Sequence, residues 1–127
     1  MQLAMPKTGP AKQLSSVNVD GKASNRFALD VSDLPEFQET LNDQDVSEGG
    51  ECEVPAVING RISKPGQVDT WHFIGQKDAT LQFDLLAERL GSPLDSVMRL
   101  LDADGKQIAH SDDMSKAISD SQFKFKL

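Results

Sequence analysis

The chain has 127 residues, the size of one ordinary domain, and its 13 Lys and Arg stand against 20 Asp and Glu for a formal net charge of −7. That balance repels phosphate backbones and anionic lipid, which argues against nucleic acid as a partner. No apolar run approaches the roughly 18 residues of a membrane span, and the single Cys52 excludes an intrachain disulfide or a thiolate metal cluster.

Residues 1–16 carry Pro, Gly, Lys and Ser without a period and are predicted to be mobile. Their start, "MQLAMPKTGPAKQ", lacks the sections of a signal peptide, so the chain reads as cytoplasmic or as a segment of a larger protein. Val17/Val19 and Phe27/Leu29/Val31 then alternate around Asp20-Gly21, a hairpin-like signal. Residues 35–52 hold Pro35 and the Gly49-Gly50 pair and read as an acidic linker. They lie in a stretch, from Arg26 to Arg61, that has nine acids and no base between its ends. A solvated connection is the plain meaning of such a block, and a cation site is the alternative. Within it Cys52 is flanked by Glu51 and Glu53, neighbours that disfavour a thiolate nucleophile.

From Val54 onward the texture is that of strands. "VPAVINGRI" places Val54, Ala56 and Ile58 on one face. "VDTWHFIG" places Trp71 and Phe73 inward with Thr70 and His72 outward. "ATLQFDLLA" alternates at Leu81, Phe83 and Leu85, and "SQFKFKL" at Phe123, Phe125 and Leu127. Residues 92–101 fit two readings. Ser92, Pro93 and Asp95 look like a helix start, whereas a strand puts Met98 and Leu100 opposite Val97, Arg99 and Leu101.

"LLDADGKQIA" is not an EF-hand loop, because Lys106 and Gln107 stand where an acid and a glycine are needed. It reads as a tight turn between two strands, with Gly105 at positive φ. Asp112 and Asp113 are adjacent and face water in a turn, which does not make a general-acid pair. His72 falls on an outer strand face and His110 at a strand end, and no "HExxH" or "GxSxG" is present. No catalytic residue is assigned.

"NGRISKPGQVDTWHF", "LQFDLLAERLGSPLDSVMRLLDADGKQIAHSDD" and "DSQFKFKL", in that order, resemble the bacterial pre-peptidase C-terminal domain, in the form found in large extracytoplasmic proteins of planctomycete-type bacteria. The family pattern falls on 59–62, 66–73, 81–90, 95–105 and 111–113, within a likeness covering about residues 37–127. The resemblance implies an all-β fold, a β-sandwich of jelly-roll type, here over 53–127 and lacking its last strand. It implies strand over 92–101, and architectural roles for Asp95, Asp112 and Asp113, with Asp95 bonding backbone amides. Residues 17–34 resemble the last strands of an immunoglobulin-like module, so 1–34 is expected to hold a mobile start and the remnant of an upstream domain. The implied function is a non-catalytic accessory module of a secreted multidomain protein, located outside the cytoplasm and serving adhesion, substrate targeting or spacing; the alternatives are a calcium-stabilised linker-plus-binding module and a non-catalytic fragment of a secreted hydrolase or peptidase. Its expected partners are neighbouring domains and an extracellular protein or polysaccharide.

Calcium-binding relatives carry an acidic E-x-E-x-N-D before the first strand, completed by aspartates of a G-D-V-D turn. Here Asn42 and Asp43 match the N-D, Gln38 and Thr40 stand at the glutamates, Gln67 replaces the first turn aspartate, and Asp69 remains. The implied site is Asn42, Asp43 and Asp69, with three carboxylates replaced by neutral groups. Calcium is therefore expected to bind poorly, and no other cofactor is expected.

Overall fold

Alternating side chains and frequent turns leave little room for helix in this sequence. In the computed structural model, which describes residues 11–39 and 50–127, the fold is all-β. The strands are β1 (Ala11–Ser15), β2 (Asn18–Val19), β3 (Lys22–Ala23), β4 (Phe27–Val31), β5 (Glu36–Gln38) and β6 (Glu51–Cys52). They continue as β7 (Val57–Asn59), β8 (His72–Phe73), β9 (Thr80–Asp84), β10 (Met98–Leu101), β11 (Gln107–Ser111) and β12 (Gln122–Lys126). One 3-10 turn, Glu88–Leu90, interrupts them, and no helix among the described residues is long and apolar enough to cross a membrane. The ladders are two-stranded: β1–β4, β2–β3, β5–β7, β6–β8, β9–β12 and β10–β11. The chain forms two compact units, one joining the residues before Leu34 to Gln82–Phe125, the other joining Leu34–Leu81 to Lys126–Leu127.

In the first unit, Asp20 and Gly21 take φ of 51° and 78°, the left-handed pair a two-residue hairpin turn requires, and they join β2 to β3. The hairpin stops there. β4 pairs instead with β1, antiparallel from Ala11↔Val31 to Ser15↔Phe27, so part of the stretch expected to be mobile is a strand.

The ambiguous residues 92–101 resolve as strand from Met98. Ser92 Oγ accepts the Leu94 N–H at 3.2 Å, a local turn in place of a helix cap. β10 meets β11 in antiparallel register, with Met98↔Ser111, Arg99↔His110 and Leu100↔Ala109. Leu100 is buried and Met98 half-buried, while Val97, Arg99 and Leu101 are exposed, as period two demands. The connecting turn is tied by Asp102, whose Oδ1 accepts the N–H groups of Asp104 and Lys106 at 3.0 and 2.9 Å. Gly105 sits at φ 79° with open space around its α-carbon. Gly105→Ala is therefore expected to cost roughly 1 kcal/mol through the forced left-handed backbone alone. A thermal melt with no change would show that this turn relaxes freely.

Further along, Phe83 and Phe123 stack with ring centroids 4.9 Å apart. Ser121, fully buried, lies within hydrogen-bond reach of the carbonyl oxygens of Ser96, Ser111 and Asp112, at 2.7, 3.0 and 2.9 Å. Its single proton serves one acceptor at a time. The position still gathers three chain segments around one hydroxyl.

In the second unit the acidic stretch contributes structure on both sides of residues 40–49. β5 runs parallel to β7 (Glu36↔Val57, Phe37↔Ile58, Gln38↔Asn59), and β6 parallel to β8 (Glu51↔His72, Cys52↔Phe73). Ile58 is 41% exposed while Val57 is half-buried. The expected Val54/Ala56/Ile58 face is not kept because pairing begins only at Val57, beyond Pro55. Trp71 and Phe73 are half-buried, and Thr70 and His72, which alternate with them, are exposed. The Trp71 ring fills the space beside Gly50, where a Cβ would lie 2.6 Å from it. Leu127 closes the unit by accepting the Asp78 N–H and donating to Ala79 O, its side chain resting on Gly75.

Candidate functional site

The junction where β5 leaves β7 brings acidic side chains together. Glu39 N–H donates to Asn59 O at 2.9 Å, and this bond extends the ladder one residue past β5. Side chains two apart in a strand share a face, so Glu39 follows half-buried Phe37 inward, while Glu36 and Gln38 remain exposed. Glu39 is only 9% exposed. Its Oε2 accepts the Arg61 N–H at 2.6 Å, and its Oε1 is buried without a hydrogen-bond partner among the described residues.

Asp69 reaches the same point. Its Oδ2 and Glu39 Oε2 lie 3.6 and 3.0 Å from the point a Cβ on Gly60 would occupy. Two carboxylates thus converge over a residue with no side chain, and among the described residues neither has a Lys or Arg ion-pair partner. Gln67 holds the loop: its Nε2 donates to Arg61 O and to Asp69 Oδ1, both at 3.0 Å, and its Oε1 accepts the Ser63 N–H at 2.8 Å. An aspartate at 67 would lack the donor that fixes Asp69. The Gln67 amide thereby positions the Asp69 carboxylate.

Of the three implied ligands, Asp69 takes part in this cradle, and Asn42 and Asp43 lie outside the described residues. Aligning the implied motif on Asn42-Asp43 sets Gln38 and Thr40 at its glutamate positions and passes over Glu39. The alternation Phe37–Glu39, which places an acid on the inward face, was the available signal. The donor set suits a hard cation: a buried carboxylate oxygen without a partner costs free energy, and a divalent ion would compensate it.

Three more carboxylates meet in the first unit. One ligand oxygen from each of Asp95, Asp112 and Asp113 lies within 4.8 Å of the others, and all three residues are exposed. No hydrogen bond from a backbone amide to Asp95 is present among the described residues, which corrects its expected role. Backbone amides are held instead by Asp102, by Asp120, by Glu39 and by Glu88, whose Oε2 accepts the Ser119 N–H at 2.6 Å. Asp120 is completely buried and accepts the N–H groups of Ala87, Glu88 and Arg89 together with Arg89 Nε at 2.7 Å. Arg89 is paired on its other side with Asp84. Burial is the largest single influence on Asp120 and pushes its pKa up. The guanidinium and the three amides together outweigh it, so the carboxyl titrates below its ordinary value.

His72 is exposed on the face of β8, as expected, and His110 is exposed one residue before the end of β11. Cys52 is buried, and burial, rather than the neighbouring acids, raises its thiol pKa. No family model, curated protein or solved structure matches this chain.

Proposed function

We propose that the chain is a non-catalytic accessory module of a secreted multidomain bacterial protein, a β-sandwich of jelly-roll type related to the pre-peptidase C-terminal domain. In that reading it serves adhesion, substrate targeting or spacing, beside neighbouring domains and against an extracellular protein or polysaccharide. The observation that supports it is the use made of the most deeply buried polar groups. Asp120 and Ser121 are spent on backbone amides and carbonyls, and Arg89 on two structural aspartates. These groups fix strands and turns. Co-sedimentation of the chain with insoluble polysaccharide and with fibrillar matrix protein tests the binding role. Retention by one of them supports it, and turnover of either polymer during the incubation would overturn the non-catalytic assignment.

The unpartnered Glu39 Oε1 favours a second reading, a calcium-stabilised module. Glu39 and Asp69 would supply carboxylate oxygens to the ion, with Gln67 orienting Asp69. The ion would tie the end of β5 to the loop after β7. Calorimetric titration with calcium is expected to give a binding isotherm that Glu39→Gln removes. An isotherm unaffected by that change would place the ion elsewhere, with the exposed Asp95, Asp112 and Asp113 as the first alternative.

A further inference from the structure

We propose that Asn59–Gly60 is a self-modification site, at which Asn59 deamidates to aspartate and isoaspartate in the folded chain. Asn59 is exposed and is the last residue of β7. The next nitrogen belongs to Gly60, which has no side chain to shield it. The ladder with β5 consumes Asn59 O, and the following bond is made by Arg61 N–H to Glu39 Oε2. Between them the Gly60 N–H has no hydrogen-bond partner among the described residues. Among the described residues the Asn59 amide is held only by a long contact, its Nδ2 donating to Glu36 Oε2 at 3.4 Å. Asn18 and Asn25 are followed by Val19 and Arg26, whose side chains crowd the same attack.

The chemistry needs only water. The Gly60 backbone nitrogen loses its proton to solvent and attacks Asn59 Cγ, and the new C–N bond closes a five-membered succinimide. The Cγ–Nδ2 bond breaks and ammonia leaves, its third hydrogen supplied by solvent. Water then opens the ring at either carbonyl. Opening at Cγ gives aspartate. Opening at the main-chain carbonyl gives isoaspartate, with Gly60 now linked through Cγ.

Either product changes this part of the second unit. Aspartate sets a carboxylate against Glu36, where an amide had donated. Isoaspartate adds one backbone atom ahead of Gly60, which displaces the Arg61 N–H from Glu39 Oε2 and moves the glycine that seats Glu39 and Asp69. The modification itself stands without the calcium reading.

The test is to hold the full chain in warm, mildly alkaline buffer and follow each asparagine by peptide mass mapping. A matched sample is unfolded in urea, and an Asn59→Gln chain is run beside them. The expected result is conversion of Asn59 in the folded sample several-fold faster than Asn18 or Asn25. Both aspartate and isoaspartate should appear at 59, and ammonia release should fall in the Asn59→Gln chain. Conversion of Asn59 no faster than of Asn25, or conversion seen only in urea, would overturn the proposal.

Discussion

Asp120→Ala is expected to cost about 3–5 kcal/mol, the range for removing one partner of a buried ion pair, and on a typical total of about 5–15 kcal/mol it should leave the first unit unfolded or close to it. The loss is larger than that of one salt bridge. Three backbone N–H groups at the 3-10 turn and the Arg89 guanidinium all point at this carboxylate, which is entirely buried. Each is stranded when it goes. Urea denaturation at neutral pH measures the effect, and a midpoint within error of the parent would mean that water replaces the carboxylate. Acid gives the same group a second signature. Its folded pKa is depressed, so its stabilisation is fully present above the unfolded carboxyl value, about 4, and is lost as pH falls through the lower folded value. The gap between the parent and Asp120→Asn should therefore narrow as the solution is acidified. A constant gap would show that hydrogen bonding geometry alone, without the charge, explains the role of Asp120.

Leu100→Ala is expected to cost about 2–4 kcal/mol, against under about 1 kcal/mol for Leu101→Ala. The two leucines are adjacent and chemically identical, but Leu100 is 7% exposed and Leu101 47%. Leu100 is also the largest of the buried apolar side chains among the described residues, the others being Cys52 and Ala87. With so little apolar volume fully enclosed, one cavity there removes a large share of the packing. Equal effects of the two substitutions on the thermal midpoint would mean that β10 does not present its faces as described.

Period two was readable wherever a strand is long enough to repeat it. Leu81/Phe83/Leu85 and Phe123/Phe125/Leu127 fall on the less exposed side of β9 and β12 and their flanks, and the Met98/Leu100 face was one of the two readings of its segment. Turn chemistry was equally direct, since Asp20-Gly21 and Asp104-Gly105 reverse the chain as their residue types require. Pairing partners were not readable. Nothing local distinguishes β4 pairing with β3 from β4 pairing with β1. Nothing in an acidic stretch announces that Glu36–Gln38 and Glu51–Cys52 add parallel strands to β7 and β8. Those choices depend on contacts distant in sequence, where a two- or three-residue strand carries almost no signal of its own.

The candidate site shows the same division. The turn aspartate Asp69 was singled out through the resemblance alone, whereas Glu39 stands out by burial, and burial of an acid runs against what composition leads one to expect. Asp120 is similar. One aspartate in "SDSQ" looks like any other polar loop residue until the 3-10 turn 31 to 33 positions earlier is folded against it.

The most direct test of the Glu39–Asp69 cradle is a thermal melt of the parent chain and of Glu39→Gln, each in EDTA and in millimolar calcium. A ligand bound only by the folded state adds roughly 2.7 kcal/mol at about 100 times its Kd. On the calcium-stabilised reading the parent midpoint rises clearly with calcium, while that of Glu39→Gln stays where EDTA leaves it. Superimposable melts of the parent with and without calcium would contradict the cation site and leave a metal-free module. A calcium-dependent rise of equal size in both chains would contradict the role given to Glu39.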